Sequence, residues 1–159
     1  MRFGIALGSN LGDRAANMQR GITLLLAVPG IELKASSPIY ETDPVDCAPG
    51  TQAFLNSVIE IEAPCTPHDL HRHLKAIESA LGRPEQRERN SPRTLDLDLL
   101  YADDFISDDA ELILPHPRMH LRSFVLRPLI DIRPDLVLPG FSKPVSSLLQ
   151  NDSSVRFYS

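Results

Sequence analysis

The stretch SPRTLDLDLL, which ends at Leu100, limits the local fold more narrowly than any other part of the sequence. Leucines and aspartates alternate in it, and a period of two is typical of a β-strand, whose successive side chains point to opposite faces. The leucines then share one face, while Asp96 and Asp98 share the other, about 7 Å apart along the strand. Neighbouring carboxylates repel each other, and aspartate is disfavoured in strands. The stretch therefore predicts a strand with one apolar face and one acidic face.

Two interpretations of the acidic face are open at this point. In the first, the strand lies at an exposed edge of a sheet, where water solvates both carboxylates. In the second, Asp96 and Asp98 hold a divalent cation, which relieves their repulsion because hard cations prefer carboxylate oxygens as ligands. The second interpretation needs support from ligand-binding residues elsewhere in the chain.

The composition is that of an ordinary globular protein. At 159 residues the chain has the size of one domain, so we expect a single domain over residues 1–159. Hydrophobic residues make up 42% and charged residues 23%, which excludes disorder or a fibre as the main class. The formal net charge of −5 argues against a protein whose main role is to bind a nucleic-acid backbone. We expect no nucleic-acid partner.

Cysteine usage and hydropathy bear on the cellular location. Cys47 and Cys65 lie in segments without metal-ligand spacing, which argues against a zinc site and indicates a reducing compartment. The N-terminal apolar stretch is too short for a signal peptide, and no window approaches the roughly 18 apolar residues of a membrane span. We therefore expect a cytoplasmic protein with no membrane partner.

Periodic patterns predict the order strand, helix, strand, strand, helix, strand. The strands are Phe3–Leu7, a stretch near Glu32–Tyr40, Ala53–Glu62 and the aspartate strand. The helices begin at the N-cap residues Asp13 and Thr66, the second with a proline at its first position. This order is typical of an α+β fold in which helices cover a mainly antiparallel sheet.

Two of these elements carry polar or aromatic residues on a defined face. The third strand places Phe54 and Asn56 opposite its apolar face, and the second helix carries a polar stripe that includes Lys75 and Glu78. The loop ETDPVDCAPGTQ before the third strand has about ten residues, and long loops in compact domains are often binding loops.

The C-terminal third shows weaker patterns. LPHPRMHLRSF is a polar stretch broken by prolines, and FVLRPLIDIRPDL predicts a short helix or turn that ends at Pro134. The tail from Ser142 onward predicts one short helical turn with a frayed end.

An arginine-rich loop, RPEQRERNSPR, runs directly into the aspartate strand. Arginines beside paired carboxylates are the charge pattern of a site for Mg²⁺ and a polyphosphate, in which the metal bridges phosphate oxygens and the arginines neutralise the remaining charge. The same arginines also fit a solvated surface loop that pairs with Glu85 and Glu88. The sequence contains no GxxxxGK(S/T) and no GxGxxG, so the phosphate-binding loops of the common nucleotide folds are absent. The arginines of the loop are Arg83, Arg87, Arg89 and Arg93.

Taken in order, several motifs resemble one family over nearly the whole chain, from about Arg2 to about Pro139. They are GSNLGD, ETDPV, FLNSV, PRTLDLDLL and LPHPRMHLRSFVLRPL. Their order and spacing are similar to those of the 6-hydroxymethyl-7,8-dihydropterin pyrophosphokinases of folate biosynthesis. The combination of RTLDLD with PHPRM some twenty residues later is highly specific.

The resemblance implies a ferredoxin-like, three-layer α/β/α sandwich with a mainly antiparallel central sheet. It implies transfer of the β,γ-pyrophosphoryl group of ATP to the hydroxymethyl oxygen of the pterin, with release of AMP. By the family pattern, Asp96 and Asp98 hold two Mg²⁺ ions, and Arg83 and Arg93 clamp the phosphates, joined by Arg89. These four residues, Arg83, Arg93, Asp96 and Asp98, are the catalytic set that the resemblance implies.

The resemblance also implies two sets of binding residues. For the pterin they are Thr42, Pro44, Val45, Phe54, Asn56 and Phe124. For ATP they are Lys75, Glu78, Arg83, Arg89, Arg93, Leu99, His116 and Arg122. The residues alone leave other interpretations open, because each phenylalanine also fits core packing and His116, between two prolines, also fits a structural imidazole in a turn.

The chain departs from some family members in two places. Asn90 and Ser91 stand where some members have Trp and Gly, and Pro117 stands where some have an aromatic residue. We therefore expect the arginine-rich loop to close differently from that of those members, and adenine recognition to rest on main-chain groups.

Two other classes of function remain open: a metal-dependent phosphohydrolase or nuclease, and a non-catalytic module that binds MgATP. If the chain is a pyrophosphokinase, as the resemblance implies, we expect ATP and hydroxymethyl-dihydropterin as substrates of a monomeric enzyme.

Overall fold

A computed structural model describes residues 1–43, 49–82, 94–150, 152 and 154–158. Its strands and helices, in chain order, are β1 (Arg2–Ser9), α1 (Arg14–Leu26), β2 (Glu32–Ser36), β3 (Tyr40–Thr42), β4 (Phe54–Glu62), α2 (Pro67–Ala80), β5 (Asp96–Ala102), β6 (Ser107–Asp108), β7 (Ile113–Leu114), α3 (Ser123–Ile132) and β8 (Val155–Phe157). Short 3₁₀ turns lie at Met119–Leu121 and Val145–Ser147. No helix among these described residues has the length and apolar content needed to cross a bilayer.

The main sheet has the strand order β5-β1-β4-β3-β8, and β2 also pairs with β4. Every pairing in it is antiparallel. The chain leaves β1 through α1 and returns as β2 and β3 on the far side of β4, so that β4 lies between the first strand and its successors. This arrangement confirms the predicted α+β fold with a mainly antiparallel sheet.

Both faces of the sheet are covered, which gives three layers. On one face, Phe3, Ile5 and Leu97 pack with residues of α1 and α2 in the larger apolar core. On the other face, Val58 and Leu129 belong to a second core that forms beneath α3. Burial of apolar surface on two sides is the main stabilising contribution to such a fold.

Strand β5 shows the predicted alternation. Leu97 and Leu99 are buried in the core beneath the helices α1 and α2, while Asp96 and Asp98 are half-buried on the opposite face. The pairing with β1 shifts register after Leu99, so that Tyr101 lies in the core beneath α3. The strand occupies one edge of the sheet, as the first of the two interpretations of its acidic face required.

The two predicted helix starts are confirmed. The Asp13 carboxylate accepts a hydrogen bond from Ala16 N at 3.2 Å, and the Thr66 hydroxyl accepts one from Asp69 N, also at 3.2 Å. Each cap satisfies a backbone N–H that the first turn of a helix leaves without an intrahelical partner.

The single strand expected near Glu32–Tyr40 is wrong, because the chain forms two strands there, β2 and β3. Both pair with β4, one after the other along the same edge. Between them, Pro38 has no N–H to donate, and the Ser37 hydroxyl accepts the hydrogen bond of Val58 N at 2.9 Å in place of a strand carbonyl.

The C-terminal third holds more regular structure than its patterns predicted. The tail contains the 3₁₀ turn and also strand β8, which pairs with β3. The proline-broken stretch begins at Leu114, the second residue of β7, which forms a small hairpin with β6. The predicted short helix is α3, which contains Pro128 within its ten residues and ends before Pro134. Short strands of two or three residues have too little pattern to be predicted locally, because the partner strand determines them.

Candidate active site

A cleft of about 640 Å³ opens on the face of the sheet that α3 covers. Its floor is formed by the strands β1, β4 and β5, one wall by β3 and β8, and the other by the segment that leads into α3. Five strands and one helix start therefore meet around a single space. Clefts of this size are typical of sites for small-molecule ligands.

Small residues keep the floor of the cleft open. In the strand register, Gly8 lies opposite Asp96 on one side and opposite Asn56 on the other, while Ala6 lies opposite Asp98. A Cβ atom on Gly8 would lie 3.4 Å from the Asn56 Oδ1 atom, within ordinary contact distance. A larger side chain would extend into the space between the carboxylate and the amide, so the glycine leaves room for a ligand that contacts both.

Asp96 and Asp98 line one end of the cleft, and we call this the carboxylate end. Among the described residues, no group of three or more His, Cys, Asp or Glu side chains is arranged to hold a metal ion. Two adjacent carboxylates nevertheless fit Mg²⁺, because this ion prefers one or two protein carboxylates and takes its remaining oxygen ligands from phosphates and water. The donor set is therefore that of a site completed by a phosphorylated substrate.

Thr42, Phe54 and Asn56 line the part of the cleft on β3 and β4, which we call the amide end, and Phe124 also lines the cleft. Thr42 and Asn56 are buried, and the Asn56 Nδ2 atom donates a hydrogen bond to Thr42 Oγ1 at 3.0 Å. Phe54 is half-buried and Phe124 is 36% exposed, so neither ring is fully absorbed in a core. An amide and two partly exposed aromatic rings in one cleft suit a flat heterocycle with donor and acceptor edges.

Glu78 lies along the outer edge of β5, outside the cleft. It is 1% exposed, so this member of the predicted polar stripe is buried. Its Oε2 atom accepts a hydrogen bond from Leu97 N at 2.7 Å, and its Oε1 atom lies 3.2 Å from Lys75 Nζ. Because β5 is an edge strand, this N–H has no partner strand, and the carboxylate satisfies it.

His116 supports the same edge. Its backbone N–H donates to Leu100 O at 2.8 Å, and its Nδ1 atom accepts from Arg118 N at 3.1 Å, which leaves Nε2 to carry the proton of the neutral ring. Burial lowers the pKa of His116, the Asp98 carboxylate raises it, and Arg122 and Arg118 lower it further. His116 therefore has the structural role in a turn that the sequence left open, and it has this role close to Asp98.

The remaining predicted residues fall into three groups. Arg122 lines the cleft, with its guanidinium carbon 5.6 Å from the centre of the Phe124 ring. Leu99 is 4% exposed and packs in the core beneath α1 and α2, so only its main chain is available to a nucleotide. The predicted residues Pro44, Val45, Arg83, Arg89 and Arg93 lie outside the described residues, as do the departures Asn90 and Ser91.

Sequence reasoning missed several residues that line the cleft. Gly8 follows the first apolar run, and only the register of three strands reveals its place between Asp96 and Asn56. Arg118 and Val155 also line the cleft. Arg118 belongs to the PHPRM motif, so the sequence did contain a signal that could have identified it. Nothing in the local sequence marks Val155 as a cleft residue.

Comparison with known proteins gives a consistent result. A family model described as 7,8-dihydro-6-hydroxymethylpterin-pyrophosphokinase (HPPK) matches residues 4–134. A 2-amino-4-hydroxy-6-hydroxymethyldihydropteridine pyrophosphokinase of Methylorubrum extorquens is 41% identical over 136 residues, which cover 86% of this chain and 85% of that protein. The protein of the same name in Bacillus subtilis is 42% identical over 128 residues, covering 80% of this chain and 75% of that protein.

Solved structures show the same fold. A wild-type Plasmodium falciparum HPPK-DHPS crystal structure with pteroate superposes with a TM-score of 0.74 at 12% sequence identity, and the match covers 99% of this chain and 48% of that chain. The chain thus spans about half of that protein, and the likeness at this identity concerns the fold alone. The family model and the two sequence relatives show more than the fold. The chain belongs to the 7,8-dihydro-6-hydroxymethylpterin-pyrophosphokinase family.

Proposed function

We propose that the cleft binds MgATP at its carboxylate end and a pterin at its amide end, and joins them in one reaction. As a member of its family the chain is a pyrophosphokinase of folate biosynthesis, which transfers the pyrophosphoryl group of ATP to the hydroxymethyl group of 6-hydroxymethyl-7,8-dihydropterin and releases AMP. The assignment of the two ends to the two substrates is our proposal.

One observation carries this assignment: in the strand register, only Gly8 separates Asp96 from Asn56. Adjacent strands lie about 5 Å apart, so the carboxylate and the amide project into the same space at roughly twice that separation. That distance suits two substrates bound end to end, with the reacting oxygen and phosphorus between them. Holding both reactants in line is a large source of rate enhancement in bimolecular reactions.

Asp96 and Asp98 would hold Mg²⁺, and we propose two ions, as the family pattern implies. Bound Mg²⁺ would neutralise the triphosphate and stabilise the charge that moves through the transition state. Arg122, which lines the cleft, adds positive charge near the same space. Arg83, Arg93 and Arg89 stay predictions as phosphate-clamping residues.

At the amide end, Asn56 would recognise the edge of the pterin ring. Its Nδ2 atom is held by Thr42, so the orientation of the side-chain amide is fixed before a ligand arrives. Phe54 and Phe124 would contact the faces of the ring, and an aromatic pair of this kind contributes about 0.5–1.5 kcal/mol beyond the burial of apolar area. These contacts favour a pterin over a substrate without a flat ring.

We expect alignment and electrostatics, rather than a general base, to supply most of the rate. His116 uses Nδ1 within its turn, and Asp96 and Asp98 would be committed to the metal. Preorganised charges in a site that excludes water act more strongly than the same charges in solution. The protein's share of the chemistry is then to hold the pterin hydroxyl in line with the β-phosphorus.

Product identification tests the proposal. The purified protein is incubated with MgATP and 6-hydroxymethyl-7,8-dihydropterin, each component is omitted in turn, and AMP, ADP and phosphate are separated by chromatography. We expect AMP only when the pterin is present. ADP, free phosphate or turnover without pterin would instead indicate a phosphohydrolase, and binding without turnover would indicate a nucleotide-binding module.

Three features of the protein stay predictions from the sequence. They are the single domain over residues 1–159, the monomeric state and the cytoplasmic location. A sedimentation coefficient that depends on protein concentration would contradict the monomer.

A further inference from the structure

The C-terminal strand β8 contributes to the cleft although it lies beyond residues 4–134, the part of the chain that the family model matches. Val155 of this strand lines the cleft, as do Asp152 and Ser154 just before it. Val155 pairs with Thr42 in the register of β8 and β3. The strand therefore lies directly beside a residue of the amide end.

Arg156, the next residue of β8, contacts both carboxylates that flank Thr42. Its Nη2 atom lies 3.3 Å from Glu41 Oε1 and 2.9 Å from Asp43 Oδ1. Thr42 and Asp43 both line the cleft, whereas Glu41 lies on the opposite face of β3, because alternate residues of a strand point to opposite faces. One guanidinium thus holds the backbone on both sides of Thr42.

A second arginine extends this network. Arg14, the first residue of α1, donates to Glu41 Oε2 at 2.8 Å and to Ala53 O at 2.7 Å. Its guanidinium carbon also lies 5.6 Å from the centre of the Tyr158 ring. Through Arg14 and Arg156, Glu41 is thus linked to the residue before β4 and to the C-terminal segment.

We propose that Arg156 is a positioning residue for the amide end of the cleft. By bonding Glu41 and Asp43, it fixes the Thr42 backbone so that Thr42 Oγ1 stays in hydrogen-bonding reach of Asn56 Nδ2. The C-terminal strand thus acts on pterin binding through Thr42 and Asn56, without contact to the reacting atoms. This inference rests on the proposed function, because it takes the amide end as the pterin site.

The energy of these ion pairs alone does not predict a strong effect on stability. The side chains of Arg156 and Asp43 are 45% and 66% exposed, and exposed ion pairs contribute little to folding. The effect should instead appear as a change in pterin affinity, since a small displacement of a binding residue weakens binding more than it weakens the fold.

The test compares three variants: Arg156→Ala, Arg156→Lys and the matched control Lys34→Ala. Lys34 also bridges two carboxylates, Glu32 at 3.1 Å and Glu62 at 3.5 Å, but at the opposite end of β4. KM for pterin, KM for MgATP and kcat are measured by AMP release, and the pterin Kd by calorimetry with a non-hydrolysable ATP analogue present.

We expect Arg156→Ala to raise the KM and Kd for pterin by about threefold to tenfold while the KM for MgATP stays unchanged. Arg156→Lys should recover part of the affinity, because lysine keeps the charge but not the forked geometry that spans two carboxylates. Lys34→Ala should resemble the unmodified protein.

Unchanged pterin affinity in Arg156→Ala, or an equal rise in both KM values, would overturn the inference. If the unmodified protein bound pterin but formed no AMP, the proposed function would fail, and the calorimetric comparison would still decide the role of Arg156.

Discussion

The two ends of the cleft differ in how their side chains are held. At the amide end, Thr42 and Asn56 are buried and hydrogen-bonded to each other, so they are fixed by the protein itself. At the carboxylate end, Asp96 and Asp98 are half-buried, and it is the backbone of their strand that is fixed, by Glu78 and by the main chain of His116. A preorganised amide strengthens the binding of a neutral flat ligand, because no side chain has to be ordered on binding. A site for Mg²⁺ and phosphates instead needs carboxylate oxygens that point into the cleft.

We expect the strongest loss of activity from a substitution at the carboxylate end. Asp98→Ala should lower kcat by about a thousandfold or more, because a missing metal ligand leaves transition-state charge without stabilisation. AMP release is measured over a Mg²⁺ titration, with Asp108→Ala as the control, since Asp108 is an exposed aspartate of the β6–β7 hairpin. Near-normal activity of Asp98→Ala at any Mg²⁺ concentration would refute the metal assignment.

The next strongest loss should follow a substitution that fills the space between the two ends. Gly8→Val should lower kcat/KM for pterin by about a hundredfold, because the added methyl groups would enter the space between Asp96 and Asn56. Gly8→Ala is the matched control, since its Cβ atom meets its neighbours at 3.4 Å or more. Circular dichroism checks that both variants fold. Equal activities of the two variants would show that no ligand spans this position.

A smaller effect is expected at the amide end alone. Asn56→Ala should weaken pterin binding by about tenfold to a hundredfold, as the loss of a hydrogen-bonding partner for a buried polar group does, and leave the KM for MgATP unchanged. Thr42→Val, which keeps the shape but not the hydroxyl, should weaken it less. The pterin Kd from calorimetry decides between them. A greater loss in Thr42→Val than in Asn56→Ala would mean that Asn56 does not contact the ligand.

The smallest effect concerns the support behind the carboxylate end. Glu78→Ala should lower the free energy of unfolding by about 1–3 kcal/mol, because it leaves the buried Leu97 N–H without its acceptor. Glu78→Gln keeps an acceptor oxygen and should lower it less. Urea denaturation measures both. If the two variants were equally stable, the hydrogen bond to Leu97 would not be what Glu78 contributes to the fold.

The sequence predicted the parts of the site that depend on local pattern. The alternation of Asp96 and Asp98 with leucines and the N-caps at Asp13 and Thr66 needed only neighbouring residues, and the structure confirms them. The resemblance of the motifs to the family brought the amide end into the prediction, since no local pattern links Thr42 to Asn56.

The parts that escaped prediction depend on residues far apart in the chain. The place of Gly8 follows from the register of three strands, the burial of Glu78 from an N–H that β5 leaves unpaired, and strand β8 from its pairing with β3. A single sequence does not specify which segments pair, so the local pattern predicts a frayed end where strand β8 forms the C-terminal wall of the cleft.

Paired binding measurements on Asp98→Ala and Asn56→Ala test the two-ended cleft most directly. For each variant, calorimetry gives the Kd for pterin and the dependence of ATP binding on Mg²⁺. We expect Asp98→Ala to keep its affinity for pterin and to lose the Mg²⁺-dependent part of ATP binding. We expect Asn56→Ala to lose affinity for pterin and to keep the Mg²⁺-dependent part of ATP binding. Loss of both properties in each variant would show that the two ends of the cleft do not act as separate sites.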